Sequence, residues 1–157
     1  MSIKKISIIA ITIIVFGSLA GFAYLQTPNQ TTKEAYPFSI IDDLGRNITI
    51  REKPTRIVSL VPSASEIVYT VEAANLLVGV DQFSAYPDEL TQGVKSGNIT
   101  NVGSSFNPDL DKVISLNPSI ILINGPSQFN AKPIQRLSEL GYTVVSLNAQ
   151  NISGVFS

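Results

Sequence analysis

Five short runs rich in β-branched residues recur between Arg56 and Leu147: Arg56–Leu60, Leu77–Val80, Asn101-Val102, Ser119–Ile123 and Thr143–Leu147. Segments with helical signals lie between most of them. A strand, a helix and a second strand in succession close as a parallel pair with the helix packed across it. The expected fold class is therefore α/β: a Rossmann-like lobe with a mainly parallel sheet flanked by helices. Ser63–Val71 reads as a helix opened by Ser63-Ala64-Ser65-Glu66, the spacing of a capping box. Asn107-Pro108 reads as a second start, with Asn at the N-cap, Pro at the first helical position and acids in the first turn. Asn130–Leu140 reads as a third helix, ended by Gly141. "DQFSAYPDEL", after Leu77–Val80, reads as a loop.

Ahead of this alternation, Phe38–Ile41 and Ile48–Ile50 flank Asp42-Asp43-Leu44-Gly45-Arg46. The Asp and Gly residues make this a hairpin turn, with Gly45 at positive φ. No EF-hand spacing comes after the paired aspartates, so they are turn formers rather than calcium ligands.

Residues 6–25, "ISIIAITIIVFGSLAGFAYL", are uncharged and follow Lys4-Lys5. About twenty apolar residues at ~1.5 Å each cross a hydrocarbon core. Flanking lysines keep the N-terminus cytoplasmic and place the chain beyond Leu25 outside. A cleavable signal peptide is the rival reading, cut near Ser18-Leu19-Ala20 or Gly21-Phe22-Ala23. The apolar run continues past both sites, which favours an uncleaved anchor. The expected organisation is a signal anchor or signal peptide over 1–25, a polar linker over 26–35 and a domain over 36–157. Asn29, Asn47, Asn98 and Asn151 head Asn-X-Ser/Thr sequons, in keeping with an exported chain.

The chain has no Cys and no His. This removes disulfides, cysteine-linked lipid, thiolate and histidine metal sites, and Ser-His-Asp catalysis. A net charge of −1 without a basic patch argues against nucleic acid as a partner. Catalysis could rest only on carboxylates, and Asp81, Asp88 and Glu89 are the candidates; no spacing forces them together. A binding protein is the stronger reading.

In open α/β sheets, ligands lie beyond the carboxyl ends of the strands. Those ends read Pro62-Ser63-Ala64, Gln82-Phe83-Ser84, Ser104-Ser105-Phe106, Asn124-Gly125-Pro126-Ser127 and Asn148, with Tyr86 nearby. The set is small, hydroxylated and amide-bearing, with aromatics between. It suits a bulky, partly apolar ligand held by shape and neutral hydrogen bonds. No Gly-rich fingerprint or Walker lysine supports phosphate binding.

The ordered series "DDLGRNITIREKPTRIVSLVPSASEIVY", "LLVGVDQFSAYPDEL", "NVGSSFNPDLDKVISLNPSIILI" and "IQRLSELGYTVVSL" resembles the N-terminal lobe of ABC-importer substrate-binding proteins for cobalamin, ferric siderophores and haem. The resemblance runs from about Tyr36 to the end. It implies two α/β lobes joined by a rigid helix, with ligand between them and no catalysis. It implies that Pro62, Ser63 and Ala64 face the cleft and that Phe83 is a cleft aromatic. Ser105 stands where some members carry Trp, and Phe106 is the neighbouring substitute. Tyr86 and Gly125 complete the expected ligand-binding set. Asp111, with Asp109 beside it, stands where the family places an acidic residue that pairs with an arginine of the permease. In a bland reading, both acids only complement a helix dipole. The chain ends where the bridging helix would begin, so a fragment lacking the second lobe is expected. The expected ligand is cobalamin or a related chelate, with a ferric siderophore or haem as the alternative. The expected partners are an ABC permease and ATPase, and the membrane through the N-terminal helix. A membrane-anchored sensory or adhesive ectodomain is the alternative of another class.

Overall fold

The computed structural model describes residues 36–125 and 131–147. The expected anchor over 6–25 and linker over 26–35 lie outside the described residues, as do Pro126, Ser127, Asn148, Asn29 and Asn151. No helix among the described residues is long and apolar enough to cross a membrane.

Strands β1 (Phe38–Ile41) and β2 (Asn47–Ile50) form the expected antiparallel hairpin, with Phe38 opposite Ile50 and Ile41 opposite Asn47. Gly45 closes the turn at φ +71°, a conformation that only glycine adopts without cost. Next come β3 (Ile57–Ser59), α1 (Pro62–Thr70), a 3-10 turn at Ala74–Leu76, β4 (Leu77–Val80), α2 (Asp88–Lys95) and β5 (Thr100–Asn101). A short ribbon, β6 (Gly103–Ser104) with β7 (Asn107–Pro108), leads into α3 (Leu110–Ser115), β8 (Ile120–Ile123), α4 (Ala131–Glu139) and β9 (Val144–Ser146).

The main sheet is parallel throughout, in the order β5-β4-β3-β8-β9. Its strands alternate apolar side chains between the two faces, as the two-residue period of a strand demands. Ile57, Leu122 and Val145 face one layer with Ala64 and Val68 of α1 and Leu90 of α2. Val58, Ile121, Ile123 and Val144 face the other with Val113 of α3 and Ile134 and Leu137 of α4. Gly79 leaves β4 open for this second layer, since a Cβ there would stand 2.6 Å from Leu116 Cδ1.

The helix ends differ from expectation in three places. Pro62 takes the first helical position of α1, where its missing N–H costs nothing and its fixed φ fits. Ser63 is thereby drawn into the helix, Val61 becomes the N-cap, and no side-chain cap bond forms. The capping box is absent. Asn107-Pro108 belongs to β7, because the ladder with Gly103-Ser104 takes those residues first. The cap of α3 is instead Asp109, whose Oδ1 accepts the Lys112 N–H at 3.1 Å. The loop expected after β4 contains α2, which carries Asp88 and Glu89 in its first turn and Lys95 in its last, matching the helix dipole.

Gly141 ends α4 at φ +88°, with the Gly141 N–H on Ser138 O (3.0 Å) and the Tyr142 N–H on Leu137 O (3.1 Å). This is the Schellman pattern. The same pair of bonds ends α1, from Glu72 to Tyr69 O and from Ala73 to Val68 O, yet Glu72 holds φ +59°. A side chain in that conformation costs about 1–2 kcal/mol relative to glycine.

Candidate functional site

The chain order reverses between β3 and β8: β4 and β5 are added on one side, β8 and β9 on the other. At such a reversal the connections leave the strand ends in opposite directions and open a crevice. Here the crevice is a depression of about 160 Å³ lined by Leu60, Val61, Pro62, Ser105, Phe106, Ile123, Asn124 and Ile134. Leu60 and Pro62 leave β3, Ile123 and Asn124 end β8, Ser105 and Phe106 form the β6–β7 turn, and Ile134 comes from α4. No lining residue is charged. The polar groups are the Ser105 hydroxyl, the Asn124 amide and backbone.

Three of the expected site residues, Pro62, Ser105 and Phe106, meet at this depression. Ser63 is exposed on the first turn of α1 and is not part of the lining. Ala64 is a correction: it is 2% exposed and packs into the core with Val68, because a helix starting at Pro62 turns positions 64 and 68 inward. Phe83 and Tyr86, 52% and 67% exposed, stand on the loop between β4 and α2. Gly125 follows β8, and its N–H donates to the buried Ser146 Oγ at 3.1 Å. Leu60, Val61, Ile123 and Ile134 are not among the residues expected from the sequence; the three-residue spacing of Ile134 and Leu137 marks the inward face of α4.

Asp109 serves its own helix. It caps α3 and pairs with Lys112 Nζ at 3.4 Å. The Lys112 backbone N–H, helped by the Lys112 side chain, holds its carboxyl below the usual carboxylate range. Asp111, in the same turn, is exposed.

The carboxylates considered for catalysis do not converge on the depression. Asp88 and Glu89 lie on α2 at the surface, whereas Asp81 is 1% exposed and satisfied by hydroxyl and amide donors. Among the described residues no cluster of three or more acidic groups could hold a metal ion. The site offers shape, aromatic surface and neutral hydrogen bonds.

No family model matches the chain. It is 35% identical over 125 residues to the uncharacterised ABC transporter substrate-binding lipoprotein YvrC of Bacillus subtilis, covering 78% of this chain and 38% of that protein. It is 28% identical over 141 residues to the cobalamin-binding protein of Halobacterium salinarum, covering 88% of this chain and 36% of that one. Among solved structures, the periplasmic vitamin B12-binding protein BtuF of Vibrio cholerae superposes with a TM-score of 0.56 at 24% identity, over 65% of this chain and 37% of that chain. This last likeness concerns the fold. The chain thus spans less than two fifths of the length of the curated relatives it matches.

Proposed function

We infer that this chain, which belongs to the cobalamin- and siderophore-type family of ABC-transporter substrate-binding proteins, supplies one wall of a ligand cleft in an importer for cobalamin or a related metal chelate. The observation that carries this reading is the uncharged, aromatic-edged depression at the strand-order reversal. Its volume of about 160 Å³ falls below the ~300–1,000 Å³ of a site that encloses a small molecule. A wall of this kind suits a large neutral ligand rich in amides and apolar edges, such as a corrinoid, which a second lobe would cover. Anionic ferric chelates would find no cation in the lining. The role is binding and delivery, without catalysis.

Residues 36–157 form the lobe in this reading, 26–35 the spacer and 1–25 the export or anchoring segment, with the lobe outside the cytoplasm. The lobe would hand its ligand to a permease driven by an ATPase.

Titration of the full chain with cyanocobalamin, followed by amide chemical shifts, tests the ligand. Shifts are expected at Val61, Phe83, Ser105, Phe106 and Asn124. Phe106→Ala should weaken binding about tenfold, the scale of an aromatic anchor. Shifts induced there by a ferric siderophore or haemin, with none from cyanocobalamin, would replace the corrinoid. No response at this face to any of the three would remove the binding reading.

Of the two acids considered for docking, Asp111 is the one not engaged in capping, and it is the contact proposed for a basic group on the permease. Asp111→Lys should cut cobalamin uptake in cells about tenfold or more, a charge reversal at an interface. The cyanocobalamin shifts should stay intact. Unchanged uptake would assign Asp111 to the helix dipole alone.

A further inference from the structure

We propose that Asp81 is the positioning residue of the ligand-facing rim: its buried carboxylate holds the loop carrying Phe83 and the turn carrying Ser105 and Phe106 together as one unit. This rests on the reading that the rim faces ligand.

Asp81 directly follows β4, and its N–H donates to Ser59 O at 3.0 Å, extending the register of β4 on β3. Its Oδ2 accepts the Phe83 N–H at 3.3 Å and the Ser105 hydroxyl at 3.2 Å. Its Oδ1 accepts the Ser84 hydroxyl at 2.6 Å. Ser84 in turn lies 3.0 Å from the hydroxyl of Ser65, which is fully buried in α1. The Ser84 proton is on Asp81, so the Ser65 hydroxyl, which also donates to Val61 O at 3.2 Å, shares its proton between Val61 O and Ser84 and brings α1 against the same group of residues. The backbone repeats the link, since the Gln82 N–H donates to Gly103 O at 2.8 Å. Segments 61–65, 82–84 and 103–105 therefore converge on one carboxylate.

A buried carboxylate is costly unless its lone pairs are satisfied. The ion pairs found among the described residues involve Asp42, Asp109 and Glu139 instead. Asp81 is satisfied by donors from the two segments that bear the rim aromatics. An apolar residue would fill this space at lower desolvation cost, but it could not tie the two segments through shared acceptor oxygens. Charge-assisted bonds are about twice as strong as neutral ones, which suits a tie that must hold exposed aromatics in place.

Amide hydrogen exchange of the full chain without ligand separates this role from general packing. In Asp81→Ala the Gln82 and Phe83 amides should each exchange about tenfold faster, the scale of bonds to a charged group. In Ser105→Ala, which removes the hydroxyl on Asp81 Oδ2 and leaves the Phe83 N–H its acceptor, Gln82 should exchange faster by about the same factor while Phe83 stays within about twofold of the wild type. Asp81→Asn, whose neutral carbonyl oxygen can take the place of Oδ2 for both the Phe83 N–H and the Ser105 hydroxyl, should restore protection at both amides only in part. Wild-type exchange at Gln82 in Ser105→Ala overturns the proposal, and so does full recovery in Asp81→Asn. Should Asp81→Ala loosen β3 and β8 equally, Ser105→Ala decides. Cyanocobalamin shifts at Phe83 and Phe106 should weaken together in Ser105→Ala. Their absence in the wild type removes the corrinoid reading and leaves the exchange result to judge Asp81.

Discussion

Asp42→Ala is expected to lower the stability of the lobe at pH 7 by about 2–4 kcal/mol, the range for removing one partner of a buried, hydrogen-bonded ion pair. Asp42 sits at the start of the hairpin turn with its side chain fully buried. Its Oδ1 accepts the N–H groups of Leu44 (3.1 Å) and Arg46 (2.9 Å). Its Oδ2 accepts the Arg46 guanidinium at 2.9 and 2.6 Å and the Ser146 N–H at 3.2 Å. The Arg46 guanidinium also reaches Val144 O at 3.2 Å, so one carboxylate joins the hairpin to β9. Alanine would strand the buried Ser146 N–H. The upper end of the range is reduced because Arg46, 36% exposed, could turn its charge to water.

The pH dependence has a definite sign. Burial pushes the Asp42 carboxyl up, but the Arg46 guanidinium and the N–H groups of Arg46, Ser146 and Leu44 outweigh it, and the carboxyl ends below its ordinary value. A depressed folded value means that this stabilisation is present above the unfolded value of about 3.9 and fades as pH falls through the folded one. Denaturant unfolding at pH 7 and again near pH 3 should therefore show the gap between wild type and Asp42→Ala shrinking in acid. A gap below about 1 kcal/mol at pH 7, or one that widens in acid, would detach the hairpin's anchorage from this pair.

Asp42 also marks the border of what its sequence neighbourhood discloses. That it begins a turn is legible from Asp42-Asp43-Leu44-Gly45. That it accepts a hydrogen bond from Ser146 is not, because nothing local to either residue records a partner about a hundred positions away. The same division holds through the fold. The β-branched runs locate the parallel strands, and Gly45 and Gly141 mark positive-φ positions, since each of these signals is local. Helix starts are less legible because two local preferences compete at each. Pro62 outranks Ser63 for the start of α1, and the β6–β7 ladder outranks the Asn-Pro signal at Asn107. At the site, Pro62, Ser105 and Phe106 can be foreseen because the ends of parallel strands predict where a crevice opens. Ala64 faces the core because it lies one helical turn before Val68 on the inward side of α1, and that side is set by the sheet rather than by the capping signal. Ile134 reaches the depression from a helix whose orientation depends on the whole sheet. Asp81 reads in the sequence as a loop carboxylate available for chemistry; its burial follows from three segments that meet only in the folded chain.

Leu137→Ala should cost about 2–5 kcal/mol, the range for deleting a well-buried leucine when the surroundings cannot collapse into the space. Leu137 is 0% exposed and belongs to the layer formed by Val58, Ile121, Ile123 and Val144 of the sheet with Val113 of α3. The chain passes straight from α4 into β9, so the helix is held from both its inner face and its C-terminal end. Leu140, three residues on and 46% exposed, provides the control: Leu140→Ala should change stability by no more than about 0.5 kcal/mol. The consequence reaches the candidate site because Ile134, three residues before Leu137 on the same helical face, lines the depression. A looser α4 moves Ile134 without touching Pro62, Ser105 or Phe106, which are held by β3 and the β6–β7 turn. The amide shifts that cyanocobalamin induces at Asn124 should therefore weaken more than those at Phe83, which belongs to the opposite half of the sheet. Equal stability losses in Leu137→Ala and Leu140→Ala would show that α4 is not anchored by its inner face. Equal weakening at Asn124 and Phe83 would show that the two halves of the wall respond as a single body rather than as two plates meeting at the strand-order reversal.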